Sequence, residues 1–138
     1  MHKIYSKVDP TVLLHIISRK DNIKENRVDI SPKNEYLQVA CKKANKSDIF
    51  KAHRHIDNNR SIEITQESWV IINGSAKVFY YDIDEELIHT DVLNSGDISI
   101  TFHGGHAMEI TEDGTLLYEF KNGPYLGQAK DKVWMENK

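Results

Sequence analysis

The chain has 138 residues, of which 39% are hydrophobic and 28% are charged, and its formal net charge is −3 at pH 7. These values are typical of one globular domain that is large enough to bury a core. The slightly acidic balance, with no long basic stretch, excludes binding to nucleic acid or to an anionic membrane that is driven by charge.

The opening residues, MHKIYSKVDP, lack the apolar segment of a signal peptide. The longest apolar runs are far shorter than the roughly 20 residues that a membrane helix needs. Cys41 is the only cysteine, so the chain has no internal disulfide. We therefore expect a cytoplasmic protein without a membrane partner.

Residues 1–30 carry the least regular pattern and predict an N-terminal arm or a pair of strands. Within them, the apolar run at 11–18 fits a short helix as well as a buried strand. The polar segment at 31–35 predicts a turn that divides this part from the rest of the chain.

From residue 35 onward, apolar and polar residues alternate with period two in short segments rich in β-branched and aromatic residues. Turns that contain Gly, Asn or Asp separate these segments at intervals of about ten residues, which is typical of an antiparallel sandwich or barrel. We predict one all-β domain, with a barrel over 35–125 and a polar tail over 126–138 that folds back through Trp134, either on the core or on a partner chain. The predicted strands are 35–41, 67–73, 76–82, 86–92, 97–102, 106–111 and 115–121.

The stretch HRH places two histidines two residues apart. On a strand, His53 and His55 would leave the same face about 6.6 Å apart along the chain. Two imidazoles on one face can bind the same metal ion. This spacing predicts half of a metal site.

A carboxylate and a third histidine begin two of the later predicted strands. Glu67 shares its face with Trp69 and Ile71, and His106 begins a strand whose face is otherwise apolar. Four such residues on interior faces favour a metal site over isolated core histidines. We predict that His53, His55, Glu67 and His106 bind one divalent transition metal, with manganese, iron, nickel and zinc as the candidates.

These motifs resemble those of the cupin family, whose first motif is G-x5-H-x-H-x(3,4)-E-x6-G and whose second is G-x5-P-x-G-x2-H-x3-N. The histidine pair, the spacing from Glu67 to Gly74, and GDISITFHGGH at 96–106 carry the resemblance. The resemblance implies a jelly-roll barrel of short antiparallel strands, also called a double-stranded β-helix, that forms one cupin domain.

The chain departs from the cupin motifs at several positions. Eleven residues separate His55 from Glu67, so Glu63 is an alternative carboxylate ligand. In the second motif Phe102 replaces proline, and the histidine arrives one residue early, which leaves His103 as an alternative to His106.

Near the C-terminus, YEFKNGPY at 118–125 followed by AKDKVW is similar to the end of small cupin metalloproteins of bacterial surface-polysaccharide biosynthesis. This resemblance implies an enzyme that isomerises or epimerises a sugar or a nucleotide-linked sugar. Tyr118 is the candidate substrate contact, because it shares a mostly apolar face with Leu116 and Phe120.

Two other functions remain open at this point. A metal-dependent dioxygenase would use the same ligands with a redox-active metal. A cupin that binds a small ligand without turning it over would need no further acid or base. We also expect a homodimer, because small barrels of this kind have open strand edges through which two copies can pair.

Overall fold

The computed structural model of the chain describes residues 1–135. About 40% of the chain is strand and 5% is helix. The strands are β1 (His2–Tyr5), β2 (Leu13–Ser18), β3 (Arg27–Asp29), β4 (Ala40–Lys42), β5 (Glu67–Asn73), β6 (Ser75–Tyr81), β7 (Leu87–Asn94), β8 (Ile98–Thr101), β9 (Gly105–Ile110) and β10 (Leu116–Lys121). A 3-10 turn (Lys20–Asn22) and the short helix α1 (Gln128–Asp131) complete the elements.

The strands form two antiparallel sheets and one hairpin. The larger sheet has the order β1-β2-β8-β5-β10, the smaller has the order β7-β6-β9, and β3 pairs only with β4. The predicted all-β class is confirmed at this level. Within residues 1–135 the two sheets remain separate and no closed barrel is formed, so the cupin barrel stays a prediction.

The alternating segments after residue 67 become strands at nearly the predicted positions. The ambiguous run at 11–18 is a strand, and β1 pairs with it at the edge of the larger sheet. The N-terminal residues therefore belong to the sheet as a strand pair.

The strand predicted at 35–41 and the strand assumed for His53 and His55 are wrong. Only the end of 35–41 pairs with another strand, as part of β4. Residues 43–66 form no strand or helix, and His53 and His55 lie in this segment with every residue from 43 to 64 exposed. The register of a strand in a sheet is fixed by the face that it buries. The polar stretch around the histidine pair has no continuous apolar face to bury, so it forms no strand.

The core lies between the facing sheets and under the hairpin. One cluster joins Ile71 of the larger sheet to Val78 and Leu93 of the smaller one. A second cluster, around Ile100 and Phe102, lies on the other face of the larger sheet under β3 and β4. Period-two alternation gives each strand of the larger sheet an inner face toward the smaller sheet and an outer face.

Gly74 makes the turn between β5 and β6. Its φ of +81° is a left-handed conformation that favours glycine. A Cβ at this position would come within 2.3 Å of the Thr115 hydroxyl oxygen. The turn aligns β6 of the smaller sheet with β5 of the larger one, and this alignment sets the position of the candidate site.

Candidate functional site

Two of the four predicted metal ligands meet between the sheets. Glu67 begins β5 of the larger sheet, and His106 lies on β9 of the smaller sheet. The His106 Nε2 atom is 3.3 Å from Glu67 Oε1, and the side chains are 23% and 10% exposed, respectively. The remaining ring nitrogen, His106 Nδ1, is buried without a hydrogen-bond partner among the described residues. We call this arrangement the Glu67–His106 pair.

An aromatic wall and a lysine surround the pair. The Trp69 ring meets the His106 ring edge-on, with centroids 4.4 Å apart. Lys121 Nζ lies 3.9 Å from Glu67 Oε2 and 3.5 Å from Glu119 Oε1. The pair therefore sits between an apolar surface and a positively charged group, as groups that handle protons or bind anions often do.

The C-terminal tail covers this end of the sandwich. Asp131 accepts hydrogen bonds from Thr65 (2.9 Å) and from Lys121 (3.0 Å). Met135 packs against Gly105, because a Cβ on that glycine would come within 2.4 Å of the Met135 sulfur. The tail lies against the sheets here, but Trp134 does not anchor it, since this side chain is 74% exposed.

The surroundings of Glu67 keep it ionised. Burial alone would raise the pKa of Glu67, but the hydrogen bond and positive charge of His106, with the charges of Lys121 and Lys132, outweigh burial and lower the pKa. A carboxylate fixed in its charged form can orient an imidazole and stabilise its protonated state. It can also act as a metal ligand.

The other two predicted ligands lie outside the pair. His53 and His55 are exposed, their ring centroids are 5.4 Å apart, and His53 Nδ1 lies 2.9 Å from the carbonyl oxygen of Lys51. The alternative carboxylate, Glu63, is also exposed in this segment. The proposed set of four ligands stays a prediction, of which the structure brings Glu67 and His106 together.

Tyr118 lies on the opposite face of the larger sheet from Glu67. Its partner across the strands is Val70, whereas Glu119 pairs with Trp69 and Lys121 pairs with Glu67. Tyr118 is 56% exposed. Its face of β10 is the outer, uncovered one, and the more polar face turns inward, so the contact of Tyr118 with a substrate stays a prediction.

A row of aromatic and imidazole side chains that was not predicted from the sequence lies on the inner face of the smaller sheet. Tyr80 pairs with His89 on one side and with His106 on the other. The Tyr80 hydroxyl donates a hydrogen bond of 3.0 Å to Ser99, and burial raises its pKa. Alternation in β7, which puts His89 and Asp91 on one face, is the signal that could have found this row.

His15 faces the same row from the larger sheet and is fully buried. Its Nε2 atom lies 3.1 Å from the Tyr81 carbonyl oxygen, so Nε2 carries the hydrogen, and Nδ1 accepts from the Thr101 hydroxyl at 3.1 Å. Burial lowers the pKa of His15 to about 4, and the nearby charge of His106 adds to this effect. His15 is thus a neutral, hydrogen-bonded core residue.

The geometry of the pair fits two ligands of one metal ion. Histidine and carboxylate ligands lie roughly 2.0–2.2 Å from zinc, so two ligand atoms of one ion are roughly 3–3.5 Å apart. The Glu67–His106 contact of 3.3 Å lies in this range. Without a metal, the same contact is that of an imidazole oriented by a carboxylate, as in an acid–base dyad.

Comparisons of the chain with protein families, with curated proteins and with solved structures found no match. In the described part of the chain, no helix has the length and apolar character to cross a bilayer. Functional inference therefore rests on the site itself.

Proposed function

We propose that this chain is a cupin-type enzyme that moves a proton next to a carbonyl group of a sugar or nucleotide-linked sugar, as an isomerase or epimerase does. The observation that carries the proposal is the 3.3 Å contact between Glu67 and His106 across the two sheets. An imidazole held by a carboxylate is a common general base in enzymes.

The proposed step begins with a C–H bond next to the substrate carbonyl. His106 Nε2 faces Glu67, so Nδ1 is the nitrogen left to accept the proton, and because Nδ1 is buried, the substrate has to open this end of the sandwich to reach it. The electron pair of the C–H bond forms a C=C bond, and the carbonyl oxygen becomes an enolate. In an isomerase, the hydroxyl proton on the same carbon passes to the enolate oxygen, and the imidazolium, stabilised by Glu67, returns its proton to the former carbonyl carbon, so that the hydroxyl-bearing carbon becomes the new carbonyl. In an epimerase, a water molecule protonates the opposite face of the enolate, and His106 releases its proton to solvent.

Two features support a carbohydrate or a phosphorylated carbohydrate as the substrate. The resemblance of residues 118–125 to cupins of surface-polysaccharide biosynthesis points to sugars. The ammonium group of Lys121 is 21% exposed and contacts the carboxylates of Glu67, Glu119 and Asp131, so an anionic oxygen, such as the enolate or a phosphate, would bind it by replacing Asp131. Because the tail covers this end of the sandwich, the substrate has to enter beside or beneath residues 131–135.

Deuterium exchange tests the proposal on many sugars at once, so the natural substrate does not have to be identified first. The protein is incubated in D2O with a panel of ketoses and nucleotide-linked keto sugars, and mass spectrometry and NMR detect deuterium at the carbon next to the carbonyl. We expect exchange with at least one member and formation of its isomer or epimer. Absence of exchange across the panel, with and without added divalent metal, would contradict the proposal.

A metal-binding form of the same enzyme is the second candidate, because the contact between Glu67 and His106 has the separation of two metal ligands. His53 and His55 would complete the set of ligands. A bound divalent metal would polarise the carbonyl oxygen of the substrate. Elemental analysis of protein purified without chelator or tag, beside the His53→Ala/His55→Ala variant, tests this form: about one metal per chain that is lost in the variant supports it, and equal metal content in both proteins contradicts it.

A further inference from the structure

A second group of metal-ligating side chains lies at the other edge of the sandwich. One ligand atom from each of His2, His89 and Asp91 lies within 4.8 Å of the other two. His2 belongs to β1, an edge strand of the larger sheet, and the other two belong to β7, an edge strand of the smaller sheet. The group therefore spans the gap between two free edges.

The two histidines are already in contact. Their rings meet edge-on with centroids 4.7 Å apart. The Nε2 atom of His89 is buried and has no hydrogen-bond partner in the described residues, and the Asp91 carboxylate lies 3.7 Å from it. A buried imidazole nitrogen without a partner is uncommon in folded proteins and calls for an explanation such as a bound ion or water.

Arg19 holds the Asp91 carboxylate in place. Its guanidinium binds Asp91 Oδ1 at 2.6 Å and Asp97 Oδ2 at 2.7 Å. This leaves Asp91 Oδ2 directed toward His89, because the other oxygen is occupied. Metal-ligating carboxylates are commonly fixed in this way by an outer partner.

We propose that His2, His89 and Asp91 bind a divalent transition metal of the zinc type, which links β1 to β7. Two imidazoles and one carboxylate are a ligand set that zinc accepts, with a fourth position open to water. Ligand atoms of one zinc ion are roughly 3.2–3.6 Å apart, so the group has to close by about 1 Å. Rotation of the exposed His2 side chain supplies this movement.

The position of this site is distinct from that of the Glu67–His106 pair. His89 and His106 lie on opposite sides of Tyr80, on the two outer strands of the smaller sheet. A metal between β1 and β7 would close one side of the sandwich, where the two sheets share no backbone hydrogen bonds within residues 1–135. Its effect would be on stability, because an ion that binds only the folded state stabilises it in proportion to the logarithm of its concentration over Kd.

Zinc titration of metal-free protein tests this site. The His53→Ala/His55→Ala variant serves as the parent, so that the predicted ligand set of the other site is disabled. Equilibrium dialysis gives the stoichiometry and Kd, and thermal unfolding gives the shift of Tm with zinc concentration. His2→Gln is the main variant, since His2 is exposed and its loss leaves the core intact, and Lys3→Gln, at the exposed neighbour of His2 in β1, is the matched control.

We expect the parent and the Lys3→Gln control to bind one zinc per chain and to show a Tm that rises with zinc. In His2→Gln the Kd should increase at least about tenfold and the rise in Tm should disappear, whereas Tm without zinc stays that of the parent. A His89→Gln variant should show the same loss of zinc binding. Two results would overturn the proposal: zinc binding by His2→Gln with the parent's Kd, or no binding by the parent at about 1 mM zinc, a concentration that reveals even a weak site.

Discussion

The Glu67 carboxylate and the His106 imidazole belong to different sheets and meet 3.3 Å apart between them. The contact depends on the pairing of strands that are distant in sequence, since β5 lies in the larger sheet and β9 is attached to β6 in the smaller one. It places a charged carboxylate beside a partly buried imidazole at one end of the space between the two sheets. The proposed chemistry depends on this one contact.

The pH dependence of stability should contain a clear contribution from His15. Its pKa is about 4 in the folded protein and about 6.5 in the unfolded chain. The unfolded state therefore binds the extra proton between these values, so the contribution is fully present above pH 6.5 and is lost as the pH falls toward 4. Over this range the wild type should lose on the order of 3 kcal/mol of unfolding free energy that His15→Gln does not lose.

Urea denaturation of the wild type and His15→Gln at pH 7, 5.5 and 4 measures this difference. Glutamine can keep a hydrogen bond to the Tyr81 carbonyl oxygen but has no proton to gain. His103→Gln, at a partly exposed histidine, controls for the loss of an imidazole in general. Equal slopes of stability against pH in the wild type and His15→Gln would show that His15 titrates normally in the folded protein.

Asp82 should stabilise the protein by tying the ends of the two sheets together. Its carboxylate accepts hydrogen bonds from the backbone N–H of Lys7 at 2.6 Å and of Ile83 at 2.8 Å. Burial raises the pKa of Asp82, but the Ser6 hydroxyl and these amides outweigh burial and lower the pKa. Asp82→Ala leaves the backbone donors without a partner and should cost about 1–3 kcal/mol at pH 7.

The matched control for this prediction is Asp84→Ala, in the same turn but exposed. Its removal should change the unfolding free energy by less than about 0.5 kcal/mol. Urea denaturation monitored by tryptophan fluorescence compares the two variants. If Asp82→Ala and Asp84→Ala lower the free energy of unfolding by the same amount, the hydrogen bond from Lys7 to Asp82 does not contribute to stability.

The predicted homodimer has a specific candidate surface in this structure. β10 is an edge strand of the larger sheet, and its outer face carries Leu116, Tyr118 and Phe120, each about half exposed. We expect light scattering at micromolar concentration to give twice the mass of one chain, and Phe120→Glu to give the mass of one chain. Leu87→Glu, at an exposed leucine of β7, should leave the mass unchanged; a monomeric wild type would contradict the prediction.

Much of the fold could be predicted from the sequence, because local patterns determine it. β5 to β10 follow from period-two alternation and from turns such as the one at Gly74, where the backbone requires glycine. His53 and His55 do not lie on a strand, because their spacing alone does not make one: the residues around them offer no apolar face that would be buried. A segment becomes a strand only if it pairs with another strand. The residues that decide this pairing lie far away in the chain.

The candidate site could be predicted only in part for the same reason. Glu67 and His106 are recognisable because each begins a strand with an apolar face. His89 and Asp91 have the same two-residue spacing as His53 and His55, yet their proximity to His2 depends on which edges of two sheets come together. In β10, alternation predicts that the apolar face with Tyr118 turns inward. In the structure the other face turns inward, with the charged Lys121 and Glu119 beside Glu67 and Trp69.

The most direct test of the central claim compares four proteins by the rate at which they exchange deuterium into the active member of the sugar panel. They are the wild type, His106→Gln, Glu67→Gln and the control Glu109→Gln, at an exposed residue of β9. General acid–base catalysis contributes about 10²–10⁴-fold to a rate, so His106→Gln should fall at least about a hundredfold in kcat. Glu67→Gln should also fall, and the control should match the wild type. If His106→Gln exchanges deuterium at the wild-type rate, the Glu67–His106 pair does not carry the proton and the proposed function is wrong.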